Sequence, residues 1–447
     1  MSTKKLRSGR VSSRALASTI AMSTAALLAA CSAGTTGTSS GGDQASVDPS
    51  GPIQILVPTE TSSDAAFAKV NAAFEKKYPK VTVKYTSVVN DSFLAARSSR
   101  LSAGTVDITV VYPQNVPSYV NGQSESDDDR ALKAGVFVDL TKQSFMKNLS
   151  PSVLEAAKFS GKNYTFPVGL SYYGGVFYNK TIFEKYGLSV PTTWTEFVKV
   201  ADTLKQNGVT PVGIGGKDSW PAGLTMLAVN GGTYPTPQDK NALAEGLWKG
   251  TIKLTDAKPL SVLERTAKVF SYAQPNWAGV SYATMPSSFV KGDFAMMPDG
   301  SWSATTIAAA AGNDFKYGYF PFPGGDDAAS NQHMDGKIEL NLAVTNNSKN
   351  KGAALAYMKF FADPATYGPY STASGYLPSE PNIPLPAALD AVKNIPFTPG
   401  WDQIWIPNVN AGKAAVFPFN YTGIKPLGTG TVAQAAAKAQ SDWAVTK

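Results

Sequence analysis

Residues 53–111 read IQILVPTETSSDAAFAKVNAAFEKKYPKVTVKYTSVVNDSFLAARSSRLSAGTVDITVV. Ile53 to Val57 form a short apolar run of strand length. From Asp64, a residue type that caps helices, Phe67, Val70, Phe74 and Tyr78 then recur at helical spacing until Pro79 stops them. Val81, Val83 and Tyr85 alternate as a half-buried strand does. A second helix is expected through Phe93, Leu94 and Leu101, ending at Gly104, followed by the buried strand 107–111. Strand, helix, strand, helix, strand in this order is the mark of an α/β sheet with helices on its faces.

The same alternation continues outward. Thr193-x-x-Glu196 predicts a capping box before Phe197, Val198, Ala201 and Leu204, with Gly208 at the stop. A strand is expected at 209–214, a helix at 260–270, a short buried strand at 294–297 and a helix at 351–361. A last helix pairs Val432, Ala436, Ala439 and Trp443 on one face. With 447 residues, two α/β lobes fit the length better than one very large sheet.

Upstream of the first strand the composition changes. Lys4, Lys5, Arg7, Arg10 and Arg14 precede a modestly apolar run at 15–30, then Leu27-Leu28-Ala29-Ala30-Cys31. That is the layout of a secretory signal with a cysteine at its end, and it resembles the lipobox of bacterial lipoproteins. The resemblance implies cleavage before Cys31 and acylation of its thiol, so residues 1–30 read as signal peptide. Cys31 is the only cysteine, so a disulfide within the chain is excluded. Residues 31–51 are rich in Ser, Gly and Thr and read as a flexible linker. Five of the seven net positive charges lie in the signal, leaving +2 for the rest. With no Lys/Arg stripe elsewhere, a nucleic-acid partner is set aside.

Motifs along the remaining chain resemble family 1 extracellular solute-binding proteins of carbohydrate ABC importers, with a fold like that of maltose-binding protein. Phe74-Glu75-Lys76-Lys77-Tyr78-Pro79 leads to Val81-Thr82-Val83, and Ala103-Gly104-x-x-Asp107-Ile108 enters the next strand. Gly135-x-x-x-Asp139-Leu140-Thr141, Phe166-Pro167 to Phe177-Tyr178-Asn179-Lys180, and Val190-Pro191-Thr192-Thr193-Trp194 follow in order. Phe289-x-x-Gly292-Asp293-Phe294-Ala295-Met296 and then Gly300-x-Trp302 complete the series. The resemblance implies a two-lobed clamp in which each lobe is discontinuous. The first lobe is expected at 52–164 with a return at 299–340, the second at 165–298 and 341–447. It further implies a lipid-anchored, monomeric protein outside the cytoplasmic membrane that hands its ligand to permease subunits, without a cofactor.

A pyranose offers apolar C–H faces and a rim of hydroxyls, which suit flat aromatic rings and a few amides or carboxylates. Positions matched to the family and lying beside turns supply the candidates: Glu60 after the first strand, then Tyr112, Gln114 and Asn115. Tyr172 and Tyr173 lie in the crossing segment, Trp220 after Gly215-Gly216-Lys217-Asp218, Asp299 and Trp302 around Gly300, and Tyr376 in Gly375-Tyr376-Leu377-Pro378. Tyr173 is expected to point away from Tyr172. Trp277 is a weaker candidate, whose indole would serve to pin a loop. Asp107, at the start of its strand, reads as structural.

Other chemistries find less support. The single histidine, His333, lies in a polar run and reads as a solvent-facing loop residue. A Ser-His-Asp or Cys-His site would have to use it. No HExxH or Cys/His cluster points to a metal. Asp127-Asp128-Asp129 lacks the spacing of a calcium loop and reads as a solvated loop. Paired carboxylates of a glycoside hydrolase are not excluded by spacing, with Glu60 and Asp299 as the pair to imagine. A lipoprotein sensor or adhesin on the same fold stays open as well.

Overall fold

Ile53, Ile55, Leu56 and Val57 are all but inaccessible, and they sit in the middle strand of three parallel ones. The computed structural model describes residues 45–59, 61–120, 125–312, 314–404 and 419–444, all within one compact unit of the chain. Strands β1 (Gly51–Pro58), β2 (Val81–Val88) and β3 (Ile108–Val110) follow the predicted order. The connecting helices are Thr61–Lys77 and Asn90–Ala103. The first begins before Asp64, whose carboxylate instead accepts a hydrogen bond from the Tyr85 hydroxyl at 2.7 Å. Gly104 ends the second in a left-handed conformation, φ 64°, which glycine adopts without a Cβ penalty.

After the hairpin β4 (Lys158–Phe159) and β5 (Lys162–Asn163), the chain reaches β6 (Phe166–Pro167) and continues into β7 (Leu170–Tyr172) and β8 (Gly175–Asn179). Later come β9 (Met296–Pro298), β10 (Tyr317–Pro321), β11 (Met334–Ile338), β12 (Asn341–Val344) and β13 (Phe397–Pro399). The large sheet runs β2-β1-β3-β12-β6, a second is β10-β8-β9, and a third is β13-β11-β7. Two stretches therefore cross between these sheets: β6 to β7 leaves the large sheet for the third, and β11 to β12 returns from the third to the large one.

Two apolar cores flank those crossings. One gathers Phe67, Phe74, Ile108, Leu342, Leu355 and Tyr367, the other Phe197, Leu204, Leu227, Val262, Trp401 and Trp443. The division of the chain differs from the expected one. Residues 317–321 pair with β8 beside the second core, while the return to the first core begins at Leu340. The reason is the fully buried run Asn341-Leu342-Ala343-Val344, which bonds to both β3 and β6. Helices Lys351–Phe361 and Pro364–Ser374 then cover the first sheet, although 341–447 had been expected in the second lobe.

Three local expectations are also corrected. Asp127–Lys133 is a helix capped by Ser126; Asp128 is buried in an ion pair with Arg97, and Asp129 accepts the Gln114 N–H. Among the described residues there is no cluster able to hold a metal ion. His333 is largely buried, its Nε2 3.3 Å from Asp335, which also pairs with the fully buried Lys240 at 2.7 Å. Residues 209–214 contribute only isolated bridges at Val212. The Thr193 capping box forms as predicted, and Asp107 binds Gln54 N–H and the Ser348 hydroxyl.

Candidate ligand-binding site

Alternation along two neighbouring strands builds the site. In the third sheet, Lys337 pairs with Ser171 and Ile338 with Leu170, so successive residues face opposite ways. Ser171, Tyr173, Lys337 and Glu339 line one pocket of about 500 Å³. Tyr172 faces the other side and stacks on Phe397, with centroids 6.3 Å apart and planes 18° apart.

The pocket lies between the two cores. Tyr376 packs against the first core and Trp302 against the second, and both border the cavity. Trp220 and Leu224, from the helix Trp220–Thr233, supply a further wall. Trp220 is 42% exposed, high for so large an apolar ring.

Asp299 sits beneath the indoles. Its carboxylate accepts the Ser303 hydroxyl at 2.7 Å, the Gly300 N–H at 2.7 Å and the Tyr282 hydroxyl at 3.1 Å. The Trp302 indole N–H donates to the Tyr282 oxygen at 2.7 Å. Burial pushes the Asp299 carboxyl up to about 7, against the downward pull of these donors. Gly300 carries no Cβ, and one placed there would collide with the Trp302 ring that folds back over the turn.

The polar groups are few. Lys337 Nζ lies 3.1 Å from Glu339, and the Tyr173 hydroxyl donates to Asp402, whose carboxyl burial pushes above the usual range. Lys337, Glu339, Asp402 and Tyr282 carry no motif in the sequence. The first two become visible only through strand alternation, and Tyr282 only through the turn Tyr282–Thr284 that sets it under both indoles.

The ten candidate positions do not all meet. Tyr173, Trp220, Trp302 and Tyr376 line the pocket, with Asp299 supporting from below. Tyr112, Gln114 and Asn115 border a second cavity of about 450 Å³ with Ile338 and Phe397, on the opposite face of β11. The Tyr112 hydroxyl, donating to the Glu339 carbonyl at 3.1 Å, links the two sides. Tyr172 lines neither cavity, and Glu60 lies outside the described residues, as do Cys31 and the signal segment 1–30. Trp277 is buried against Phe270.

Residues 58–367 match the sequence profile of the bacterial extracellular solute-binding proteins. The chain belongs to that family. Among relatives of this solute-binding protein, the multiple sugar-binding protein of Streptococcus mutans serotype c is 28% identical over 303 residues, 66% of this chain and 68% of the relative. A probable sugar-binding periplasmic protein of Mesorhizobium japonicum is 24% identical over 262 residues, 56% of this chain and 59% of its own length. The fold matches RafE in complex with raffinose at TM-score 0.68 and 24% identity, covering 89% of this chain and 100% of that one. No helix among the described residues of the solute-binding protein is long and apolar enough to cross a membrane.

Proposed function

We propose that this solute-binding protein captures a mono- or short oligosaccharide in the pocket bordered by Trp220, Trp302 and Tyr376 and passes it unaltered to the permease of an ABC importer. The carrying observation is a cavity faced by both cores that joins the exposed Trp220 and the partly buried Trp302 and Tyr376 to a Lys337–Glu339 pair. Rings receive the C–H faces of a pyranose and the charged pair receives hydroxyls. The names of the sugar-binding relatives and the raffinose complex support the same reading. A ligand touching both lobes favours their approach, which gives the permease a difference to read.

The test is isothermal calorimetry with raffinose, mannobiose, galactose, chitobiose and xylobiose. At least one should bind at one site per chain and be recovered intact. Failure of all five to bind, or cleavage of the bound sugar, contradicts the proposal.

We infer, from the resemblance of residues 27–31 to a lipobox, that the protein is tethered through Cys31 to the outer face of the cytoplasmic membrane. Labelled palmitate should be incorporated by the native chain and not by Cys31→Ser. Equal labelling of the two rules out the anchor.

A further inference from the structure

We propose that Tyr282 is the positioning residue of the aromatic wall, and that the pocket this wall borders favours an uncharged saccharide over an acidic one. This rests on the sugar-binding reading above. Tyr282 meets both indoles. Its oxygen accepts the Trp302 N–H at 2.7 Å, and its ring packs edge-to-face with Trp220, centroids 4.4 Å apart and planes at 61°. Trp220 and Trp302 themselves stand 6.3 Å apart, tilted by 54°. The Tyr282 hydroxyl is in turn fixed by Asp299 and by Ser303 at 2.9 Å. Its backbone N–H donates to Asp218 at 2.9 Å, on the turn just before Trp220. One residue thus ties the Trp220 turn to the Trp302 turn.

Two consequences follow for recognition. An indole has a single donor, and Trp302 has spent its own on Tyr282, so it meets a ligand by its face and edge. Hydroxyl recognition then falls to Lys337 and Glu339. Among the described lining residues Lys337 is the one cation, already paired with Glu339, while Asp402 is a second carboxylate. Among these described residues a sugar carboxylate would find the one cation already paired and would face two acids, so a uronate is disfavoured against its neutral counterpart.

The experiment uses Tyr282→Phe, Trp302→Phe and the double variant, with the five neutral sugars and digalacturonate as probes. Tyr282→Phe keeps the ring and removes the hydroxyl. It should weaken binding of the best neutral sugar roughly three- to tenfold, the worth of one hydrogen bond. Trp302→Phe deletes the same hydrogen bond from the other partner and serves alone should Tyr282→Phe not fold. Adding Tyr282→Phe to Trp302→Phe should change affinity less than twofold, because the bond is already gone. In the 15N spectrum, the indole N–H peak missing from Trp302→Phe should shift in Tyr282→Phe, a readout that needs no ligand. Digalacturonate should bind at least tenfold more weakly than the best neutral sugar. Full additivity, an unmoved indole peak or tight digalacturonate binding would overturn the inference. If Trp302→Ala loses binding while Tyr282→Phe does not, the sugar site stands and the positioning role falls. If the native chain binds no sugar, the sugar reading itself fails and only the indole peak speaks for Tyr282.

Discussion

Trp302→Ala is expected to lower saccharide affinity by roughly thirty- to a hundredfold and to erase most of the ligand-induced rise in Tm. The ring forms pocket wall, and losing the apolar burial of one large side chain costs on the order of 2–3 kcal/mol. The unliganded protein should stay folded, since Trp302 is only partly buried and packs at the margin of the second core. Calorimetry and a melting curve on the same sample measure both. Native affinity in the variant would remove Trp302 from the site, and an unfolded variant would make it a core residue.

Stability should fall as pH rises from about 5 to 9, and Glu380→Gln should flatten much of that fall. Glu380 is 3% exposed, one of its carboxylate oxygens has no partner, and Asp363 lies near enough to repel it. Burial, then Asp363, pushes its carboxyl up to about 8. The folded form therefore keeps a proton that the unfolded chain has released near pH 4.5. The resulting stability is fully present below the unfolded value and is lost as pH passes the folded one. Asp299, pushed up to about 7, acts in the same direction. Carboxyls held low at Asp139, Glu196, Asp239 and Asp327 act oppositely, but in acid, below the unfolded carboxylate range. Allowing for partial solvation, Glu380→Gln should be roughly 2 kcal/mol more stable than the native protein at pH 9 and equal to it near pH 4. Denaturant midpoints at the two pH values decide it; an unchanged difference refutes the assignment.

The parallel part of the large sheet was legible because Ile53, Phe67, Val81 and Ile108 announce their faces by period, and Gly104 marks its stop. The lobe assignment was less so. Strands β11 and β12 are separated by two residues, yet one serves the crossing sheet and the other completes the first core, a distinction set by tertiary pairing. The aromatic wall could be guessed from Trp220 and Trp302 beside glycines. The residue beneath it could not, because Tyr282 acts across 17 and 20 residues on Asp299 and Trp302. Tyr112 and Tyr172 show the converse: an aromatic ring near a strand tip marks the region, while strand parity chooses the side.

Whether a sugar sits between the two cores is decided by a crystal structure of the protein with its best-binding neutral sugar. The expected density is an intact sugar ring against Trp302, with hydroxyls reaching Lys337 and Glu339 and contacts to Tyr376 from the other lobe. Density confined to the cavity beside Gln114 and Phe397, or a sugar touching one lobe alone, would contradict it.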